Sequence, residues 1–151
     1  MSDESRPGGL TALAVLNFVF GGLGVLGALG LAALLPMLAA GAPGLSDQQR
    51  AELDALNTLG SAPFLLAVGS SAIGGVLLIV SGIGYLQQKR VLGRVLGNVY
   101  ALFAIITAIP MALWLPVQIG GGFNISTILN FLYPVLTLVL VNVTFKEDLI
   151  R

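Results

Sequence analysis

The amino-acid sequence predicts an all-α integral membrane protein, a four-helix bundle that forms one membrane domain over residues 1–151. Hydrophobic residues make up 56% of the chain and charged residues only 9%, whereas soluble domains carry roughly 25% charged residues. The mean hydropathy is +0.97. The few charges also leave long gaps, with none between Arg6 and Asp47 and no carboxylate between Asp54 and Glu147. These observations place most of the chain in lipid.

Four apolar runs are long enough to span a bilayer, since a helix needs about 20 apolar residues to cross ~30 Å of hydrocarbon. They cover about residues 10–40, 63–86, 91–117 and 125–145. Their polarity does not alternate as the strands of a membrane barrel require. Prolines inside the later runs are tolerated where neighbouring helices satisfy the freed carbonyls.

The first run is longer than one crossing needs, because at about 1.5 Å per residue it would reach roughly 46 Å. We expect it to tilt, to project beyond the membrane, or to break near Pro36. Ala40-Gly41-Ala42 resembles a signal-peptide cleavage site. The length of the apolar run and the net acidic leader before it argue against cleavage.

The distribution of Lys and Arg predicts the orientation, because cytoplasmic loops are enriched in these residues. The loops assigned to the outer side contain a single cation, Arg50. Six of the seven cations fall on the other side: Arg6, Lys89, Arg90, Arg94, Lys146 and Arg151. Both termini are therefore predicted to be cytoplasmic.

The turn between the second and third spans carries Lys89, Arg90 and Arg94. We expect these three cations to anchor the topology at an anionic leaflet. Specific binding of lipid headgroups is the alternative for the same residues, although three cations are fewer than the roughly 4–8 typical of such sites.

A short amphipathic helix is predicted at about residues 47–59, outside the cytoplasm between the first two spans. Ser46 and Gln49 form a capping box, and Gly60 is a helix stop signal. We expect this helix to pack on the ends of the spans, with a partner-binding surface as the alternative. Its carboxylates have no accompanying base, nucleophile or metal ligand, which argues against catalysis.

Small residues recur on single faces of the first three spans. Membrane helices gain stability where such residues let their backbones approach closely. The residues predicted to pack are Gly24 and Ala28, then Ala67, Ser71 and Gly75, then Gly93, Gly97 and Ala101. Packing within one chain is the main expectation, and oligomerisation through a remaining row is the alternative.

Four asparagines lie within the spans: Asn17, Asn98, Asn130 and Asn142. Amides in hydrocarbon usually form interhelical hydrogen bonds, worth about 0.6 kcal/mol on average. The first, second and fourth lie near the predicted cytoplasmic ends and are placed to meet across the bundle, while Asn130 lies in the outer half. A polar path is the alternative, although transport proteins usually carry a charged residue inside the membrane.

Several kinds of chemistry are excluded by composition. The chain has no Cys and no His, so it has no disulfide, no thiolate or imidazole metal ligand and no Cys or His nucleophile. No cofactor, metal site or catalytic residue is predicted. A formal net charge of zero gives no overall field to attract nucleic acid.

Three segments resemble those of small bacterial four-span membrane proteins. They are RPGGLTA at 6–12 with VLNF at 15–18, GIGYL at 82–86 followed by Arg90 and Gly93-Arg94, and YPVLTL at 133–138 followed by Asn142 and Phe145-Lys146. The resemblance implies a bacterial inner-membrane protein and assigns no activity or functional residue.

The leading functional hypothesis is a non-enzymatic structural or accessory membrane protein. It would act through helix packing, either with its own copies in a homo-oligomer or within a larger membrane complex. The second hypothesis is a small oligomeric channel or transporter whose path is lined by Asn17, Asn98 or Asn130. An enzyme comes third, because the spans contain no nucleophile–base pair and no acid.

Overall fold

The computed structural model describes residues 8–39, 44, 46–48, 50, 51, 54, 61–114 and 125–149. Within these ranges the main elements are four helices, and no strand occurs. The helices are α1 (Gly8–Ala39), α2 (Ser61–Leu86), α3 (Leu96–Trp114) and α4 (Ile125–Val139). The predicted all-α class is confirmed.

Two of the helices carry a π-helical turn. Arg90–Val95 leads into α3, and Leu140–Thr144 extends α4. With these turns, the third and fourth helical segments follow the predicted runs closely. Residues 115–117, the predicted end of the third run, lie outside the described residues, as does residue 40 at the end of the first.

The helix α1 is continuous through Pro36 and ends at Ala39. Its 32 residues correspond to about 48 Å of helix at 1.5 Å per residue. A break near Pro36 is therefore not the way in which the length is accommodated, which leaves tilt or projection beyond the membrane.

In the part of the chain that the structure describes, three stretches are long and apolar enough to cross a membrane. They are Gly8–Ala33, Phe64–Leu86 and Arg90–Pro110. The apolar part of the fourth helical segment, Asn130–Thr144, is shorter. Length and composition thus support membrane association through three of the helices.

The predicted outer helix falls mostly outside the described residues. Those that are described, at positions 47, 48, 50, 51 and 54, are helical and exposed. The backbone N–H of Arg50 donates to the carbonyl of Ser46 at 3.0 Å. The amphipathic face and the outer location of this segment remain predictions.

Helices adjacent in sequence pack against each other. The most extensive contact joins α1 to α2, while α3 and its π-helical turn contact α2, and α4 packs on α3. The main buried cluster lies where the start of α1, the end of α2 and the end of the α4 segment meet: Leu10, Leu13, Ala14, Tyr85, Val141, Phe145 and Leu149. The beginning and the end of the described chain therefore lie at the same end of the bundle as the basic turn, which carries Lys89, Arg90 and Arg94.

The turn after α2 is a Schellman motif. The N–H of Lys89 donates to the carbonyl of Gly84 at 2.9 Å, and the N–H of Gln88 donates to that of Tyr85 at 3.2 Å. Gln88 occupies the left-handed position of this motif, with φ 52°, where glycine is usual. The tight reversal positions the cations of the basic turn at the end of the bundle.

Candidate functional site in the helix interfaces

The contact between α1 and α2 is a direct approach of two backbones. A Cβ atom added to Gly21 would lie 2.7 Å from the carbonyl oxygen of Gly75, and one added to Gly75 would lie 2.7 Å from that of Gly21. A Cβ at Gly24 would lie 3.2 Å from the carbonyl oxygen of Ser71. At Gly21 and Gly75, only residues without a side chain permit this separation.

A small polar residue also donates a hydrogen bond across this interface. The hydroxyl of Ser71 donates to the carbonyl of Gly24 at 2.8 Å. The structure therefore brings together Gly24, Ser71 and Gly75, three residues that the sequence pattern singled out for packing. Ala28, one turn further along α1, is buried, and Ala67 on α2 is half-buried.

The two glycines at the start of the third span, Gly93 and Gly97, lie against the ring of Tyr85. A Cβ at Gly93 would lie 3.0 Å from the Cδ1 atom of this ring, and a Cβ at Gly97 would overlap its hydroxyl oxygen. Ala101 is fully buried in a separate cluster with Leu78 and Tyr100. The row of Gly93, Gly97 and Ala101 thus faces α2 along two helical turns.

The hydroxyl of Tyr85 is buried and has no hydrogen-bond partner among the described residues. The tyrosine ring nevertheless lies in the centre of the main apolar cluster. Its contribution to the bundle is therefore apolar contact with the glycine row of the third span.

Asn17 joins three helices through one buried amide. Its side chain is 0% exposed, and its Nδ2 atom donates to the hydroxyl of Ser81 on α2 at 2.7 Å. The hydroxyl of Tyr133 on α4 donates to the Oδ1 atom of Asn17. The ring of Tyr133 also lies edge-on to that of Phe20, with centroids 4.7 Å apart. Side chains therefore connect α4 to α1.

Asn98 and Asn142 form a reciprocal amide pair between the third and fourth helical segments. Asn142 donates to the Oδ1 atom of Asn98 at 2.6 Å, and Asn98 donates to that of Asn142 at 3.1 Å. The Oδ1 atom of Asn142 also accepts a hydrogen bond from the Nε atom of Arg94 at 3.2 Å. Arg94 is half-buried, so this bond fixes a cation at the edge of the bundle.

The four asparagines do not form one group. Asn98 and Asn142 meet, Asn17 belongs to the separate cluster with Ser81 and Tyr133, and the side chain of Asn130 is exposed. Three of the four amides therefore lie in helix contacts and have hydrogen-bond partners.

The aromatic participants were not identified from the sequence as members of the polar clusters. From the sequence, Tyr85 and Tyr133 stand out only as members of the segments 82–86 and 133–138, with no predicted contact. A signal for Tyr133 was available, because Asn130, Tyr133 and Thr137 follow at i, i+3 and i+7 on one helix face. Thr137 is fully buried, with its hydroxyl donating to the carbonyl of Tyr133 at 2.9 Å.

The basic turn divides into exposed and anchored cations. Lys89 and Arg90 are exposed, whereas Arg94 is held by Asn142. Among the described residues, no group of three or more His, Cys, Asp or Glu side chains is placed to hold a metal ion.

Comparisons with models of protein families, with curated proteins and with solved structures found no match to this chain.

Proposed function

We propose that this chain is a non-enzymatic membrane protein with a structural or accessory role, and that it acts through helix packing. The observation that carries the proposal is that its polar and small residues lie in contacts between helices. Gly21, Gly24 and Gly75 are occupied in the contact of α1 with α2, and Asn17 is enclosed by partners from two other helices. A solute path would instead need such groups to face water.

The proposed topology has four spans with both termini in the cytoplasm of a bacterium, in its inner membrane. Its support is the excess of Lys and Arg on one side, together with the meeting of the start of α1 and the end of the α4 segment at one end of the bundle. The fourth span is proposed from Ile125 to Thr144, which at about 1.5 Å per residue is roughly 30 Å long.

Cysteine labelling tests this topology, because the natural chain contains no Cys. The variants Asp47→Cys and Lys89→Cys each place one thiol at an exposed position. A membrane-impermeant maleimide applied to intact cells should label the thiol at 47 and should label that at 89 only after permeabilisation. The reverse pattern would invert the proposed orientation.

An oligomeric channel or transporter is the second candidate, and one observation favours it. Asn130 is the one asparagine of the four spans whose side chain is exposed, and an amide exposed to lipid would gain a hydrogen bond at a contact between copies. In that case a path would form only in the assembly.

The mass of the particle in nanodiscs, measured by native mass spectrometry, separates the two candidates. One chain of 15.6 kDa, alone or with a different protein, supports the accessory role. A closed ring of identical chains is required by the channel and also fits a homo-oligomer held by helix packing, so ion flux through the ring then decides between them, and Asn130→Leu should disrupt the ring. A ring that survives Asn130→Leu would remove the observation on which the second candidate depends.

A further inference from the structure

An open cleft lies at the end of the bundle that contains the basic turn. Its volume is about 360 Å³, and it is lined by Arg90, Arg94, Lys146, Glu147 and Leu149. Pockets for small ligands commonly measure roughly 300–1,000 Å³. The two sides of the cleft come from distant parts of the chain, the start of the third helical segment and the turn that follows the fourth.

The cleft carries an excess of positive charge. Three cations and one carboxylate line it, which leaves a formal charge of three minus one, or +2. Within the described ranges, no ion pair joins Glu147 to these cations. The cations therefore retain their capacity to bind an anion.

Arg94 is already positioned for such a ligand. Its Nε atom donates to the Oδ1 atom of Asn142 at 3.2 Å, and this acceptor is in turn bonded to Asn98. A guanidinium has five N–H donors, so four remain after this bond. Because the side chain is held before binding, less conformational entropy is lost when a ligand arrives.

A phosphate group fits this donor set best. Guanidinium groups bind phosphate oxygens through paired, charge-assisted hydrogen bonds, and lysine adds a point charge. Basic pockets between membrane helices on the cytoplasmic side are sites for anionic lipid headgroups. Arg94 lies within the first turns of the proposed third span, from which a long cationic side chain can reach the headgroups.

We infer that Arg90, Arg94 and Lys146 form a binding site for a phosphate group at the end of the bundle. The expected source is the headgroup of an anionic glycerophospholipid, and a free phosphate ion is the other source of the same chemistry. The site differs from the cation set expected from the sequence, because Lys146 lines the cleft and Lys89 does not.

The position of Lys89 provides a matched control. It lies in the same turn as Arg90, is exposed, and carries the same charge as the three cations of the cleft, but it does not line the cleft. The variants to compare are therefore Arg90→Gln, Lys146→Gln and Lys89→Gln. The first two replace exposed side chains, so each is expected to leave the helix contacts intact, which the thermal midpoint in detergent would verify.

Native mass spectrometry of the detergent-solubilised protein, titrated with phosphatidylglycerol or phosphatidylcholine, measures lipid retention directly. We expect Arg90→Gln and Lys146→Gln each to weaken retention of phosphatidylglycerol by about tenfold, from the loss of charge-assisted contacts. Lys89→Gln should change it by less than about twofold. Lys146→Arg keeps a charged donor at the same position and should therefore weaken retention less than Lys146→Gln does. Retention of phosphatidylcholine should not change.

Equal losses in all three glutamine variants would overturn the inference, because they would indicate a general attraction of anionic lipid to any nearby cation rather than a site. Inorganic phosphate added as a competitor distinguishes the two sources. The site accepts the free ion if millimolar phosphate displaces lipid from the wild-type protein but does not displace the lipid that Lys146→Gln still retains. If phosphatidylglycerol stays bound, the site requires the lipid.

Discussion

The contact of α1 with α2 and the contact of the third with the fourth helical segment hold helices together by different means. In the first, the backbones touch at Gly21 and Gly75. In the second, the amides of Asn98 and Asn142 bond across the gap between the helices. The first contact extends along the helices, whereas the second is local and directional.

This difference follows from the energetics of a bilayer. Lipid tails are as apolar as leucine, so helices gain little by exchanging lipid for large apolar side chains. Close approach of two backbones adds many dispersion contacts along the interface. A single interhelical amide bond contributes only about 0.6 kcal/mol on average. Substitutions in the glycine contact should therefore have larger effects than substitutions of amides.

The largest effect is expected from a substitution of Gly21. Gly21→Leu would place a side chain against the carbonyl of Gly75, and backbone cannot move aside as a flexible side chain can. We expect a loss of about 3 kcal/mol or more in the free energy of unfolding, the upper range for overpacking. Unfolding by SDS titration in mixed micelles measures this loss.

The neighbouring residue is the control for that experiment. A Cβ at Gly22 meets no atom within 4 Å among the described residues, so Gly22→Leu should change the free energy by less than about 0.5 kcal/mol, as is usual for surface substitutions. Equal changes in the free energy of unfolding for the two variants would mean that the backbones of α1 and α2 are not in direct contact.

A smaller effect is expected at Gly97, because the opposing group is a side chain. Gly97→Ala brings a methyl group into the hydroxyl of Tyr85 and should destabilise by about 1–3 kcal/mol. Tyr85→Phe removes a buried hydroxyl that has no partner in the described part of the chain, so alone it should be neutral or stabilising by up to about 1 kcal/mol.

The double variant sharpens this test. Tyr85→Phe should relieve most of the cost of Gly97→Ala, so that the two changes are strongly non-additive in a double-mutant cycle. Additive effects would mean that the third span does not pack on Tyr85. The larger substitution Gly97→Leu should disrupt the bundle, and unchanged assembly would contradict the packing role of this row.

Substitutions of the asparagine side chains should have the next largest effects. Asn17→Leu removes the acceptor of Tyr133 and a hydrogen bond to Ser81, and we expect a loss of about 1–2 kcal/mol in the free energy of unfolding. Asn130→Leu replaces an exposed side chain and should be near neutral in the isolated chain. The same SDS titration measures both variants. A larger loss in the free energy of unfolding for Asn130→Leu than for Asn17→Leu would reverse the assignment of the buried and exposed amides.

The smallest effect should be a gain of stability at Gln88. A left-handed backbone costs a non-glycine residue about 1–2 kcal/mol, and glycine loses roughly 0.5–1 kcal/mol more conformational entropy on folding. Gln88→Gly should therefore stabilise by up to about 1 kcal/mol. Gln87→Gly, at the adjacent position without positive φ, should destabilise slightly. If both variants shifted the thermal midpoint in the same direction, the result would argue against the Schellman motif.

Much of the fold was predictable because composition and hydrophobic length determine it. The described helices begin and end within about two residues of three predicted run boundaries, at Leu86, Ile125 and Ala39. Continuity through Pro36 was not predictable. A proline in a membrane helix can either break it or be tolerated, depending on what satisfies the freed carbonyl.

The small-residue contacts were partly predictable, and the grouping of the polar residues was not. The four-residue spacing shows that Gly93, Gly97 and Ala101 share a face, but not that Tyr85 fills it. Depth in the membrane suggested that Asn17 would meet Asn98, but depth does not give the rotation of a helix about its axis. That rotation directs Asn17 towards Ser81 instead.

The central claim is that the polar side chains within the spans serve helix packing rather than transport. Flux of ions and small solutes through proteoliposomes, measured for wild type and Asn98→Leu beside their unfolding free energies, tests it most directly. We predict wild-type flux equal to that of protein-free liposomes, with Asn98→Leu altering only stability. Wild-type flux above this background that Asn98→Leu abolishes without a change in stability would contradict the claim.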